Sequence, residues 1–151
     1  MLKKMISALL LTAVMAIFLP LTSFAAFGNS IPLGTGGTRN DLIYIKRPES
    51  HSAATSDRTY TISAVGGRGT WIKIYRYNPV SKMANLVKGG TQIGASGLYS
   101  VVVDLPNNSN TFLVTAENGA GSQVVRIDIS KVKKSTVDKL KNVTVTVKNF
   151  F

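Results

Sequence analysis

Between Gly97 and Gly121 the chain reads Gly-Leu-Tyr-Ser-Val-Val-Val-Asp-Leu-Pro-Asn-Asn-Ser-Asn-Thr-Phe-Leu-Val-Thr-Ala-Glu-Asn-Gly-Ala-Gly. Tyr99, Val101, Val103 and Leu105 recur at every second position, and so do Phe112, Val114 and Ala116. A period of two places one face of an extended strand in a core and leaves the other to solvent. Pro106-Asn107-Asn108-Ser109 lies between the two runs: proline presets φ, and asparagine bonds its own backbone and tolerates positive φ. The stretch reads as two antiparallel strands joined by a tight turn, and it points to an all-β fold.

The same pattern recurs along the chain. Leu42–Lys46 reads as a short strand ended by Arg47-Pro48, and residues 49–57 as a polar loop that holds the single histidine, His51. In Thr59–Ala64, Tyr60, Ile62 and Ala64 share a face, and Gly66-Gly67-Arg68-Gly69 supplies the turn. Trp71–Tyr77 is the next strand, with Ile72 and Ile74 inward. Met83–Val87 and Thr91–Ile93 are weaker strands around Lys88-Gly89-Gly90, and Val124–Val132 alternates through Val125, Ile127 and Ile129. Seven to eight short strands, with turn signals about every 8–12 residues, predict an antiparallel β-sandwich. With no long helical period after residue 25, helical bundles and doubly wound folds are excluded.

The two ends read differently. Lys3 and Lys4 precede an apolar run from Met5 to Leu19, Pro20 breaks it, and Ser23-Phe24-Ala25 offers small residues for cleavage. That is the layout of a secretory signal peptide over residues 1–25, shorter than the ~20 apolar residues of a membrane span. The expectation is a secreted or surface-associated bacterial protein with no transmembrane span in its mature chain. Absence of cysteine excludes disulfides, so stability rests on burial. Residues 26–41, with Gly34-Thr35-Gly36-Gly37 at their centre, read as a flexible leader. No Lys-Ser/Thr follows these glycines, so they are not a phosphate-binding loop. Residues 133–151 form a basic tail with a helical turn at Ser135–Leu140 and an extra strand where Val143, Val145 and Val147 alternate. An exposed strand of that kind invites pairing, with its own sheet or with a second copy.

At the Gly97–Gly121 stretch the sequence resembles the bacterial immunoglobulin-like domains of exported and cell-surface proteins. The likeness is carried by Gly97-Leu98-Tyr99-Ser100, Val103-Asp104-Leu105, Asn110-Thr111-Phe112-Leu113-Val114-Thr115-Ala116 and Asn118 to Gly121. Upstream, Tyr60–Ala64 and Gly69–Tyr75 sit where that family places its second and third strands. It covers about Leu42 to Val132 and implies an immunoglobulin-like sandwich that acts by interaction. Asn108-Ser109 replaces the glycine usual in the turn, the tail lies outside the repeat unit, and one copy stands alone where such domains usually come in strings.

Chemistry for catalysis is sparse. One histidine and no cysteine leave no nucleophile–base pair beyond a serine set built on His51, and the seven acids form no calcium-loop or paired-carboxylate spacing. The protein is therefore read as non-enzymatic and without cofactor. Two groups carry binding potential. Trp71, Lys73, Tyr75 and Tyr77 share the outward face of one strand, where aromatic rings stack on sugars and a cation meets acidic groups. Lys131, Lys133, Lys134, Lys139 and Lys141 form a basic stretch opposed locally by Asp138 alone. Eighteen cations against seven acids favour anionic surroundings. The expected partners are an anionic cell-wall polymer, a polysaccharide or a surface protein. Nucleic acid is not expected, because export separates the protein from it and no recognition motif is present. Self-assembly by exchange of the strand Val143–Val147 is the remaining alternative.

Overall fold

Residues 27–139 are described by the computed structural model. The signal-peptide reading, the strand expected at Val143–Val147, and Lys141 lie outside them. Nine strands are present among the described residues: β1 (Ser30–Pro32), β2 (Ile43–Arg47), β3 (Ser52–Thr55), β4 (Thr59–Gly66), β5 (Trp71–Asn78), β6 (Met83–Gln92), β7 (Leu98–Asp104), β8 (Ser109–Asn118) and β9 (Gly121–Lys131). One short helix, α1, covers residues 134–139. The strands form a six-stranded sheet in the order β1-β6-β5-β8-β9-β3 and a three-stranded sheet in the order β2-β4-β7. The larger sheet contributes Ile72, Ile74, Phe112, Val114, Ala116, Ile127 and Ile129 to the main core; the smaller contributes Ile43, Ile45, Ile62, Ala64, Tyr99 and Val103. These are the alternating residues of each strand, so the pleat alone brings them to one interior. The described residues form a two-sheet β-sandwich with one short helix.

Four expectations are corrected. The runs around Pro106 are strands, but they do not pair with each other. β7 pairs with β4 in the small sheet, and β8 lies between β5 and β9 in the large one. Residues 105–108 therefore cross from one sheet to the other. The turn residues permit either path, and the second satisfies more surface: β8 becomes central and buries both faces, including Leu113 and Thr115. The polar loop at 49–57 contains β3, which pairs in parallel with β9, so the sandwich is not purely antiparallel. Short polar side chains (Ser-Ala-Ala-Thr) hid it from any apolar pattern. The two weak strands around Gly89-Gly90 are one strand, β6, which bulges there while staying paired to β5.

The fourth correction concerns residues 26–41, read as a flexible leader. Within them Ile31 is buried and β1 pairs with the edge of β6. Further on, the Thr38 hydroxyl and the Arg39 amide bond the backbone of Ser122. Glycine and serine content masked a segment whose apolar residues, Phe27, Ile31 and Leu33, are spaced to cover the outer face of the large sheet. With Tyr75, Ala84, Leu113, Leu86 and Val124 they build a second, smaller core.

Candidate functional site

β5 places its side chains as the alternation predicts. Trp71, Lys73 and Tyr75 lie on the outer face of the large sheet, opposite Glu117, Thr115 and Leu113 of β8. They do not form an open platform. Residues 27 and 28 cross over the face, and the polar groups of β5 hold them. The Lys73 ammonium donates to the Phe27 carbonyl (2.8 Å), and the Tyr75 hydroxyl donates to Gly28 (2.8 Å) and lies 3.3 Å from the Phe27 carbonyl. The Glu117 carboxylate accepts from the Phe27 amide. Tyr75 is 0% exposed and is thereby withdrawn from ligand contact. Trp71 remains 44% exposed at one end of β5. Tyr77, half-buried, sits at the other end, about 20 Å away at strand rise. The two rings cannot stack on one sugar.

Burial pushes the Tyr75 phenol up to about 12, with repulsion from Glu117 adding to it and Thr115 opposing; burial also raises Tyr99. A folded-state pKa above the unfolded value means stability intact below about pH 10 and lost as pH rises toward about 12. Wild-type stability is expected to fall by about 1 kcal/mol per pH unit in that window from Tyr75 alone. Tyr75→Phe should remove that component, checked by urea midpoints at mildly and strongly alkaline pH. Parallel pH profiles for the two proteins would refute the assignment.

The lysines divide. Lys131 turns back and donates to the Leu105 carbonyl (2.8 Å), with the Pro106 carbonyl at 3.5 Å, and so ties β9 to the crossover that follows β7. Lys133, Lys134 and Lys139 are exposed, the last two on α1. Lys131 and Lys133 line a cavity of about 440 Å³ with Ser56, Arg58, Asn108 and Val132. Arg58 was not singled out from sequence, because only the parallel pairing of β3 with β9 carries the β3–β4 loop to the end of β9. No acidic side chain lines this cavity. Asp41 and Asp128 are engaged elsewhere, with Arg39 (2.6 Å) and Arg126 (2.9 Å).

A second cavity, of about 400 Å³, is also lined by this crossover. Tyr77, Arg76, Asn78, Asn85 and Asn107 line it, with Pro79, Val80, Val87 and Pro106. Residues 106–108 thus contribute both to a hollow of three cations and to one that combines an aromatic ring, a cation and three side-chain amides. Such a pair of hollows offers charge to acidic groups and stacking plus hydrogen bonds to hydroxyls. Among the described residues, no three His, Asp or Glu side chains gather as metal ligands.

Fold and site together define a cysteine-free β-sandwich with a polar, cationic end. Compared with protein-family models, curated proteins and solved structures, the chain matches none.

Proposed function

We propose that this is an exported, non-enzymatic interaction module with an immunoglobulin-like sandwich, which binds an acidic polysaccharide or other anionic wall polymer at the bacterial surface or in its matrix. Strand order supports the immunoglobulin-like reading. β2, β4 and β7 stand as the first, second and fifth strands of one sheet, and β5, β8 and β9 as the third, sixth and seventh of the other, with the sixth central. The signal-like residues 1–25 support export. The observation that carries the binding reading is the pair of hollows that residues 106–108 help to line: one with Arg58, Lys131 and Lys133, the other with Tyr77 and three asparagines. Acidic groups of the polymer sit among the cations, and its sugar rings lie against Tyr77.

Retention of residues 26–151 on an immobilised acidic polysaccharide tests this reading. Binding is expected at low salt and should weaken steeply as the Debye length falls from about 30 Å to about 8 Å. Arg58→Glu with Lys133→Glu, both at exposed positions, should weaken it by about tenfold or more. Tyr77→Ala should weaken binding to the polysaccharide and leave binding to polyphosphate unchanged. Retention indifferent to the double charge reversal would sink the reading.

A further inference from the structure

Residues 27–33 cover the outer face of the large sheet almost as a separate piece. Phe27, Ile31 and Leu33 pack against Tyr75, Ala84, Leu86, Leu113 and Val124, and β1 caps the edge of β6. Their polar bonds run across the same joint: Phe27 to Glu117, Lys73 and Tyr75, Gly28 to Tyr75, Asn29 to Leu86, and Ser30 to Asn85. The glycines that follow differ in what they need. A Cβ on Gly37 would meet the Gln123 Cα and the Ser122 carbonyl at 2.5 Å, so here the chain is clamped to β9. Gly34 and Gly36 have open space where a Cβ would stand, and neither has a left-handed φ. Nothing in the docked form requires glycine at these two positions. Glycine's backbone freedom at both would let the chain take another path.

We propose that residues 27–33 are an exchangeable segment: the groove they fill in one copy accepts the same segment from a second copy of this chain, which links copies through β1 of one and β6 of the other. The groove's fit to this sequence is already seen within one chain. Docked and exchanged forms share the contacts that residues 27–33 make with the groove and differ at the turn where Thr35 bonds the Pro32 carbonyl, so the hinge and the concentration decide between them. From Leu33 to the clamped Thr38 the chain spans up to about 17 Å when extended, enough to reach a neighbour laid against the β6 edge. Intramolecular docking acts at an effective concentration of about 1 mM, so exchange belongs to crowded settings such as a surface layer or matrix. Once β1 leaves, the edge of β6 at residues 83–85 is a template for this pairing.

The absence of native cysteine makes a direct test straightforward. Ser30 and Asn85 are paired across β1 and β6, and their side chains meet at 3.0 Å. Residues 26–151 carrying Ser30→Cys are mixed with the same chain carrying Asn85→Cys and oxidised. In parallel, Ser30→Cys is mixed with Leu98→Cys, a 63% exposed position on β7 of the small sheet, which does not carry the groove. Exchange is expected to give the Ser30–Asn85 cross-link at least about tenfold over the Ser30–Leu98 one, rising with concentration toward about 1 mM. Equal yields from the two mixtures would overturn the proposal. The double variant Ser30→Cys/Asn85→Cys, oxidised while dilute, seals the segment in its own chain. It should lose every concentration-dependent oligomer that the wild type shows on sizing, and oligomers that persist would also overturn it. Neither readout involves a polymer, so the outcome is independent of the binding proposal above.

Discussion

Replacing Gln123 with leucine is expected to destabilise the sandwich by about 3–4 kcal/mol, seen as a lowered urea midpoint with an unchanged slope. Gln123 lies on β9 of the large sheet, buried, and its amide reaches the edge of the small one. Its carbonyl oxygen accepts from the Leu42 amide (2.7 Å) and the Ile43 amide (2.9 Å), and its NH₂ donates to the Ile43 carbonyl (3.1 Å). One side chain thus acts as the missing strand for the outer edge of β2. Leucine keeps the volume and removes all three bonds. Two buried N–H groups and one C=O are then orphaned, each at a cost of about 1–3 kcal/mol, partly relieved by water at the sheet edge. Against a typical total of about 5–15 kcal/mol, that is a large share. A loss under about 1 kcal/mol would show that water replaces the amide freely and that the clamp contributes little.

Gly37→Ala is expected to cost about 3 kcal/mol, while Gly36→Ala, one residue earlier, should be near neutral. All three atoms nearest the new Cβ at Gly37 belong to the backbone of Ser122 and Gln123, so no side chain can swing aside. The chain must lift from β9, which stretches the Arg39 amide bond to the Ser122 carbonyl (2.9 Å). At Gly36 no atom stands within 4 Å of the new Cβ. Thermal melts of both variants check the contrast. Equal effects at the two positions would mean that the clamp at Gly37 yields as easily as the open hinge, and would remove the structural boundary between segment and body.

Which residues become strands, and which of them face a core, is legible because both depend on neighbours two positions apart. Tyr60, Ile62 and Ala64, then Ile72 and Ile74, then Phe112, Val114 and Ala116 all point where their alternation places them. Whether two runs pair is a different matter. The alternation of Tyr99–Leu105 and of Phe112–Ala116 is the same whether the strands form a hairpin or stand in opposite sheets, and Pro106–Ser109 suits both. β3 was invisible because Ser-Ala-Ala-Thr buries little. Its pairing partner is more than seventy residues away, and that pairing sets Arg58 beside Lys131 and Lys133.

Tyr75 marks the same boundary at the level of one residue. Its place on the outer face of β5, opposite Ile72 and Ile74, follows from the pleat; its burial does not, because the cover comes from residues 27 and 28, more than forty positions earlier. By itself the sequence determined an all-β chain, its strands, their inward faces and an excess of positive charge, all of which follow from local geometry and composition. Only the tertiary structure decided the sheet each strand joins, the strap over Tyr75 and Lys73, and the convergence of cations beside residues 106–108. These depend on which distant surfaces bury each other best, and no short window of residues contains that comparison.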